Sequence, residues 1–516
     1  MQHPGRRLRP ARRPHPGARA RARASCGATI YRNTRVTGTP SSSRTTSGWC
    51  RTDKGDITCR ARGLRRPATS RAQTRRRMVG LDIPVLPVEH QFIVTESHPD
   101  IVARQQQGLP EMGVLRESDG SWYMREERGG LLLGPYETGA PACYVDGPRE
   151  DTEYELFAED IERLMPHIES AIHRVPAFEE LGIKQVYNGA IAYTPDGNPI
   201  IGPAWDRRNL WLNEGHTFGI TAAGGAGWQL AEWIVEGEPT IDMLGVDPRR
   251  FGDYASKGYL KAKNEESYAS VFTIHFPDEE RPAGRPLRTA PCYSRMQALG
   301  AVFGQKFGWE RPNWFAPEGV PQEDHWSFRR SKWFEHIGNE CRNVRDNVGL
   351  LDMTAFAKAR ISGPGAEAFL DRLVANRLPK SAGRIGLCHA LNTRGGVHSE
   401  FTILREDDDR FYLVSAGAYQ RLDHDWIRKH LPRDGSVTFE NLTPAMGVLV
   451  VAGPRSRELL QRLSTDDLSN TTFPWLTAQD THVGLAPARL MRGISSASWA
   501  GKSITASSTR TRFSMR

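Results

Sequence analysis

The chain has 516 residues, enough for two or three domains, and 38% of them are hydrophobic. Its net charge of +9 is unevenly spread, because residues 1–77 carry 21 Lys and Arg against 2 Asp and Glu and the remainder is net −10. A uniformly basic nucleic-acid-binding surface is therefore not indicated, and no run of about 18 apolar residues offers a membrane span. We predict no nucleic-acid partner and no membrane.

Seven cysteines occur along the chain, an odd number without any Cys-x-x-Cys pair. This pattern favours reduced thiols in an intracellular protein over a disulfide framework or a zinc site. The fifteen histidines show no metal-ligand spacing, so we predict no metal. We expect a cytoplasmic protein, with the mitochondrial matrix as the alternative.

Residues 1–77 are rich in Arg, Pro, Ser and Thr and show no apolar periodicity over their first fifty positions. Three interpretations compete: a nucleic-acid-binding arm, a mitochondrial transit peptide, and a segment translated out of frame. We favour the third, with disorder over 1–77. Thr52 to Cys59 is the exception, because it reads as a short strand with a polar turn.

Residues 78–184 contain two clear strand patterns, Gln91 to Thr95 and Gly130 to Gly134. Between Glu155 and Ile172 the apolar residues recur at helical spacing. Trp122 and Tyr123 could line a pocket, although ordinary packing is the simpler explanation for either residue.

Residues 185–242 predict a hairpin, a further strand and a glycine-rich entry into a helix. Asp196-Gly197 lies between two extended runs and is a strong tight-turn signal. The glycines before Trp228 predict a helix that begins after Gly227 and ends at Gly237. An exposed helix N-terminus offers free N–H groups and favours an electron-rich ligand.

Residues 243–326 form a connector that is dense in aromatic residues, such as Trp309, Trp314 and Phe315, which predicts an interdomain wedge rather than a flexible tether. Residues 327–491 contain an internal repeat at an offset of 90. Gly363-Pro364 and Gly453-Pro454 each follow an apolar strand and open a helix. Two such strand-helix units could face one another across a cleft or be purely structural.

These modules, in this order, resemble the FAD-dependent dimethylglycine/sarcosine dehydrogenase family. In that family an amine-oxidising (DAO-type) flavoprotein is fused to a folate-binding aminomethyltransferase domain like the glycine-cleavage T-protein. The resemblance covers residues 78–491. It implies an α+β / α/β protein with a partial FAD-binding domain, an antiparallel substrate sheet, a linker domain and an α+β folate-binding domain.

The resemblance also implies an oxidoreductase acting on CH–NH donors in one-carbon metabolism. FAD would oxidise dimethylglycine or sarcosine, and tetrahydrofolate would accept the one-carbon unit. The implied partners are a small methylated amine and an electron acceptor protein. The rival interpretation is a non-catalytic folate-binding, aminomethyltransferase-like protein.

The site residues follow from the resemblance. The turn that lies against the flavin in that family corresponds to Gly215, His216, Thr217, Phe218, Gly219, Ile220 and Thr221. Acidic side chains after a Gly-Gly turn meet the pterin in that family, and the matching positions are Glu400, Phe401 and Thr402. A carboxylate there could stabilise a cationic iminium intermediate.

Five segments result: a disordered Arg-rich stretch, the C-terminal half of the FAD-dependent oxidoreductase domain, its central or linker domain, an incomplete aminomethyltransferase domain and a disordered out-of-frame tail. Their bounds are 1–77, 78–242, 243–326, 327–491 and 492–516.

The chain departs from the family pattern in two respects. No Gly-x-Gly-x-x-Gly occurs in it, so the dinucleotide-binding half is missing. Codons for Ala497 to Ile504 can be chosen so that a shifted frame encodes Glu-Leu-Gly-Trp-Glu-Ile-His, which resembles an aminomethyltransferase motif. We therefore expect a chain that is truncated and frameshifted at both ends, with impaired FAD binding.

Overall fold

The computed structural model describes residues 80–148, 152 and 155–493, and the backbone alone of 36–38, 47–52, 55–60 and 500–506. The last four ranges are strands. Every sheet formed by the described strands is antiparallel, and the helices pack on the faces of those sheets. This confirms the predicted mixture of helices and antiparallel sheets.

Three short strands lie in the segment that was predicted to be disordered: β1 Val36–Gly38, β2 Ser47–Thr52 and β3 Gly55–Arg60. Thr52 pairs with Gly55, so β2 and β3 are antiparallel neighbours. Strand β3 covers most of the strand expected around Thr52 to Cys59, and the polar turn expected at residues 53–54 lies outside the described residues. The prediction of disorder differs from the structure over these strands, because backbone pairing does not require a periodic apolar pattern.

The first large unit is a five-stranded sheet, called here the roof sheet, with strand order β5-β6-β7-β4-β8. Its elements in chain order are β4 Val88–Ser97, α1 Pro99–Gln106, β5 Leu115–Glu117, β6 Trp122–Glu127, β7 Gly130–Pro135, α2 Ile161–Arg174 and β8 Ile183–Ile191. Both predicted strands are present, in β4 and β7.

Alternation along β4 and β6 sends every second side chain to one face of the roof sheet. On that face Ile93, Trp122 and Leu133 pack against Leu164 and Ala171 of α2, and all five side chains are buried. Trp122 is therefore a core residue, and its indole N–H is satisfied by Ser170 Oγ at 3.0 Å.

The predicted hairpin around Asp196-Gly197 is wrong, although the turn itself is present. Gly197 has φ +74° and its N–H bonds to Thr194 O at 3.1 Å. The strands on either side do not pair with each other. Strand β8 pairs with β4, whereas β9 Ile200–Pro203 pairs with β10 Trp211–Glu214. The better partner for each strand lies elsewhere in the fold, so a tight turn does not decide the pairing.

Helix α3 spans Gly219–Glu236, so it begins nine residues before the predicted start at Trp228. Each glycine costs roughly 1 kcal/mol of helix propensity relative to alanine. Packing outweighs this cost, because Ala226, Leu230 and Trp233 are buried beside Ile201. The helix ends as predicted at Gly237, which adopts φ +83°.

The connector holds α4 Lys257–Ala269, α5 Tyr293–Ala298, β11 Ala301–Lys306 and β12 Trp309–Phe315. Asn264 of α4 is buried, and its amide donates to the carbonyls of Leu86 and Tyr193, both at 2.9 Å. The connector is thereby fixed to the strands beside it, in agreement with the expected wedge.

The remaining elements form the C-terminal unit. They are α6 Phe334–Asp346, β13 Gly349–Asp352, β14 Ala357–Ser362, α7 Ala366–Leu373, β15 Ile385–Leu391, β16 Val397–Arg405, β17 Arg410–Ser415, α8 Gln420–His430, β18 Thr438–Asn441, β19 Met446–Ala452, α9 Ser456–Leu463, β20 Thr477–Val483, β21 Ala486–Arg492 and β22 Ala500–Ala506.

Two five-stranded sheets make up this unit, with orders β15-β16-β17-β14-β18 and β13-β19-β22-β21-β20. Their inner faces share one core, to which Leu404 and Tyr412 contribute from the first sheet and Val448 and Met491 from the second. The repeat at an offset of 90 is present, because β14 leads into α7 as β19 leads into α9.

Strand β22 lies in the tail that was predicted to be disordered, and it pairs with both β19 and β21. The prediction differs from the structure over this strand. The physical reason is that the neighbouring strands present unpaired N–H and C=O groups, which an extended segment satisfies whatever its side chains.

Candidate functional site

The predicted flavin-facing turn lies between β10 and α3. Gly215 has φ +69°, and a Cβ there would come within 2.9 Å of Thr194 Cγ2 and 3.2 Å of Val85 Cγ2. A glycine is therefore required both by backbone conformation and by space. The turn is held tightly against the strand that precedes it.

The N-cap residue of α3 is Phe218, whose side chain makes no hydrogen bond to the first turn of the helix. Phe218 is exposed and Ile220 is 86% exposed, although both are apolar. An uncapped helix start beside exposed apolar side chains suits a flat ring that carries a carbonyl acceptor. The residues present therefore fit an FAD ring.

His216 is oriented by Asn213, since its Nε2 lies 2.6 Å from Asn213 Oδ1. Burial lowers the pKa of His216 below its ordinary value, so the ring is neutral at pH 7. The structure thus brings Gly215 to Thr221 together as one turn followed by the first residues of the helix.

A second cluster, called here the roof cluster, consists of His90, Tyr136, Glu137, Tyr193 and Tyr268. Tyr268 donates its hydroxyl proton to Glu137 Oε2, and its oxygen lies 2.8 Å from His90 Nδ1. The rings of Tyr136 and Tyr193 pack on Tyr268 with centroids 5.2 and 5.6 Å away. This is a buried hydrogen-bonded network enclosed by aromatic rings.

The hydrogen bonds of the roof cluster fix the tautomer of His90. Because the single proton of Tyr268 goes to Glu137, His90 must donate from Nδ1 to the Tyr268 oxygen. Burial lowers the pKa of His90, against the opposing charge of Glu137. A neutral ring that donates from Nδ1 keeps its Nε2 lone pair available to accept a proton.

Sequence reasoning missed the roof cluster. The only signal was a run of three polar residues, Glu89-His90-Gln91, near the start of a strand whose centre is apolar. Tyr268 is remote in sequence and reaches the cluster only because α4 packs beside the roof sheet, so the pairing follows from tertiary structure.

The predicted folate residues lie on β16. Glu400 is exposed, and its Oε2 is 3.2 Å from Nε2 of His389 on the neighbouring strand. Thr402 is partly exposed. Phe401 is 1% exposed and packs in the core with Cys388, so its side chain lies on the other side of the strand from Glu400. Side chains alternate along a strand, which separates Phe401 from its two neighbours.

Beneath the same strand, Asp423 of α8 is buried and accepts a hydrogen bond from Ser399 Oγ at 2.7 Å. Burial raises the pKa of Asp423 to about 6, opposed by hydrogen bonds from Ser415 and Ser399. His398 stacks on Trp426 with ring centroids 4.1 Å apart, and burial, aided by the charge of Arg249, lowers its pKa to about 4.

Asp423→Asn is expected to remove the part of the pH dependence of the free energy of unfolding that comes from the Asp423 carboxyl group. Since the pKa of Asp423 is higher in the folded chain than its ordinary 3.8, its contribution is fully present below about pH 4 and declines as pH rises through 6. The decline amounts to roughly 3 kcal/mol in the free energy of unfolding. The measurement is denaturant unfolding of both proteins between pH 4 and 7.

Asp371→Asn, at an exposed carboxyl on α7, is the matched control. His398 and His424 have lowered pKa values near 4, so their contribution changes in the opposite sense, being lost as pH falls from 6.5 towards 4. This histidine contribution is present in wild type and in Asp423→Asn alike, so it cancels when their free energies of unfolding are subtracted. Parallel curves for wild type and Asp423→Asn would contradict the prediction.

The connector and the C-terminal unit meet at a buried ion pair network. Arg249 Nη2 lies 2.7 Å from Asp247 Oδ2, and its Nη1 lies 3.2 Å from Asp425 Oδ2 on α8. Burial acts to lower the pKa of Arg249, but the two carboxylates raise it above the ordinary value. Asp425 also accepts from Lys429 Nζ at 2.7 Å and from Asp206 N at 2.8 Å.

Within residues 80–148, 152 and 155–493, no group of His, Cys, Asp and Glu side chains has the arrangement of a metal site. No helix in that part of the chain is long and apolar enough to cross a bilayer. Three described cysteines, Cys143, Cys341 and Cys388, are free thiols.

Family models match the chain in three consecutive ranges. The FAD dependent oxidoreductase model matches residues 15–233, the FAD dependent oxidoreductase central domain matches 236–290, and the GCVT N-terminal domain matches 292–500. The first match begins inside the Arg-rich segment. The order of the three domains is the order that the sequence resemblance implied.

Three curated relatives are similar over most of this chain. Mitochondrial dimethylglycine dehydrogenase of Mus musculus is 37% identical over 423 residues, which cover 81% of this chain and 48% of the relative. Mitochondrial sarcosine dehydrogenase of Homo sapiens is 30% identical over 446 residues, covering 78% and 47%. The mitochondrial pyruvate dehydrogenase phosphatase regulatory subunit of Mus musculus is 30% identical over 413 residues, covering 79% and 46%. The chain spans about half the length of these relatives.

Proposed function

We propose that this chain catalyses oxidative N-demethylation of a methylated glycine. The premise is that the chain is an FAD dependent oxidoreductase joined to a GCVT N-terminal domain. The substrate class is dimethylglycine or sarcosine, and the one-carbon unit passes to tetrahydrofolate. The observation that carries this proposal is the presence of both modules in one chain, in the order found in a dimethylglycine dehydrogenase with 37% identity.

The residues that would hold the flavin are Gly215 to Thr221. FAD, when bound, supplies the two-electron acceptor for the amine. The glycine turn and the uncapped start of α3 provide backbone N–H groups for a ring carbonyl. The exposed side chains of Phe218 and Ile220 provide apolar contact and exclude water from the ring.

The roof cluster would act on the substrate side. His90 Nε2 can accept the ammonium proton of the substrate, because the amine must be neutral before it loses two electrons. Tyr268 and Glu137 hold the His90 ring in the tautomer that leaves Nε2 unprotonated. Glu137 is buried and also accepts from Gln91 Nε2 at 3.0 Å, which fixes its position.

In the C-terminal unit, Glu400 and Thr402 would face the folate. Tetrahydrofolate, when bound, supplies the nitrogen that takes up the one-carbon unit. The exposed Glu400 carboxylate can accept hydrogen bonds from pterin N–H groups and stabilise a cationic carbon–nitrogen double bond. His389, on the next strand, orients that carboxylate.

We also propose that this chain retains FAD weakly, because no Gly-x-Gly-x-x-Gly follows any strand in its 516 residues. Electrons would leave through an acceptor protein. The compartment is proposed as cytoplasmic, with the mitochondrial matrix as the alternative, since the similar dimethylglycine and sarcosine dehydrogenases are mitochondrial.

The experiment is to purify the full chain with added FAD and record its visible absorbance after gel filtration. Dimethylglycine and sarcosine are then added separately with an artificial electron acceptor, and dye reduction is followed with and without tetrahydrofolate. Bleaching of the flavin by either amine supports the proposal. A yellow protein that neither amine reduces would contradict the substrate class.

Gly215→Val tests the flavin turn. A side chain there would clash with Thr194 at a backbone conformation that strains any L-residue, so flavin retention is expected to fall at least about tenfold. Gly224→Ala is the control, because it lies in the helix that follows the turn and has open space around its Cβ position. Equal retention by the two variants would remove the turn from the proposed site.

The second candidate function is a non-catalytic, folate-binding protein. The similarity to a phosphatase regulatory subunit favours it, since that relative is named for regulation rather than for oxidation. Tetrahydrofolate binding by a chain that never acquires flavin colour, at any FAD concentration, would support this candidate over the first.

A further inference from the structure

A cavity of about 460 Å³ lies where the flavin half, the connector and the C-terminal unit meet. We call it the junction cavity. Trp205 lies on one wall, Tyr254 and Arg288 come from the connector, and Arg421 and Arg428 come from α8. A cavity of this size is in the range that holds small organic ligands. It contains none of the residues assigned above to flavin or folate.

The lining of the junction cavity carries an excess of positive charge. Five arginines and three aspartates line it, namely Arg249, Arg250, Arg288, Arg421, Arg428, Asp206, Asp253 and Asp425. Arg249 is neutralised by Asp247 and Asp425, and Arg250 by Asp196. His424 adds no charge at pH 7, because burial lowers its pKa to about 4. The remaining arginines outnumber the remaining aspartates.

Arg288 is the cation with the least compensation. In the part of the chain that the structure describes, no carboxylate lies within 4 Å of its guanidinium. Its ring partner is Trp309, whose centroid is 4.1 Å from Cζ. Its backbone is held to the connector by hydrogen bonds with Gly308 and Glu310, at 3.0 and 2.8 Å. The side chain is therefore half-buried, fixed and without a counter-ion.

Arg421 approaches the same space from α8. Its guanidinium stacks on Trp205, with Cζ 4.3 Å from the ring centroid, and contacts Asp253. That carboxylate is almost fully exposed, so solvent screens the pair. Burial lowers the pKa of both the Arg288 and the Arg421 guanidinium, and the charge of Asp253 opposes this in each case.

We propose that the junction cavity binds a small organic anion whose carboxylate or phosphate group pairs with Arg288 and Arg421. A guanidinium that lies over an aromatic ring keeps N–H donors that can pair with the two oxygens of such an anion. Leu287 and Phe307 provide apolar surface for the rest of the molecule. Because the walls come from both halves of the chain, the bound anion would also link them.

The test is thermal unfolding of the full chain with citrate, malonate or inorganic phosphate, at ionic strength matched with sodium chloride. We expect a saturable rise in the midpoint with at least one probe. A rise with citrate or malonate alone identifies a carboxylate ligand, a rise with phosphate alone identifies a phosphate ligand, and a rise with all of them means that the cavity accepts either group. Arg288→Gln is expected to raise the apparent dissociation constant at least tenfold. Arg433→Gln, at an exposed arginine outside the cavity, should respond as wild type does.

Phe307→Glu provides a second test that does not remove a buried charge. Phe307 is partly exposed, so this substitution keeps the fold while its carboxylate occupies the arginine-rich space. We expect its midpoint without probe to match or exceed that of wild type, and its response to anions to disappear. An equal response in all four proteins, or no saturable response to any probe, would overturn the proposal. Neither result depends on flavin or folate.

Discussion

Replacing Arg249 with methionine is expected to lower the free energy of unfolding by about 3–5 kcal/mol. The guanidinium is buried between Asp247 and Asp425, which belong to the connector and to α8 respectively. Without it, the buried Asp247 carboxylate loses its cation, and Asp425 keeps only Lys429, at 2.7 Å. The measurement is denaturant unfolding at pH 7, taking the first transition, because a chain with several domains need not unfold in one step.

Two further proteins make this prediction specific. Arg433→Met, at an exposed arginine, is expected to change stability by less than about 0.5 kcal/mol. Arg249→Met combined with Asp247→Asn should recover part of the loss, because the carboxylate left without a cation is removed together with the arginine. A loss below about 1 kcal/mol in Arg249→Met would mean that water or Lys429 compensates the carboxylates.

Glu400→Gln is expected to slow capture of the one-carbon unit by tetrahydrofolate about 10²-fold, if the proposed reaction takes place. The amide keeps the shape of the side chain but loses the negative charge that stabilises a cationic carbon. Amine oxidation in the flavin half should continue, so formaldehyde is released instead. The measurement compares formaldehyde with methylene-tetrahydrofolate in the same reaction.

Glu440→Gln is the matched control for Glu400→Gln. It removes an exposed carboxylate from the same sheet, on β18, where it pairs with Arg360 at 3.2 Å. Its product ratio should equal that of wild type. If Glu400→Gln also keeps the wild-type ratio, Glu400 is a surface residue without a part in one-carbon transfer, and the pterin must be held elsewhere in the unit.

Much of the architecture could be predicted because local patterns and tertiary packing agree there. The strand patterns in β4 and β7 alternate as a half-buried sheet requires, and Gly237 ends α3 because a left-handed residue is cheapest there. The repeat at an offset of 90 gave the two strand-helix units of the C-terminal unit. The order of the modules in the sequence carried the resemblance to the family, and the family models match the chain in the same order.

The predictions that differed from the structure concern partner choice rather than local preference. The Asp196-Gly197 turn forms, but its flanking strands pair with β4 and β10 instead of with each other. Three glycines lie inside α3 because buried contacts at Ala226 and Trp233 exceed their propensity cost. Phe401 shares a motif with Glu400 but faces the opposite side of β16.

The sequence by itself determined the modules and their order, because the motifs that identify them consist of residues close together in the chain. Tertiary structure decided the roof cluster, the Arg249 network and the junction cavity. His90 and Tyr268 are 178 positions apart, and Arg249 and Asp425 are 176 apart. Contacts at such separations arise from how the helices pack on the sheets, and no local pattern encodes them.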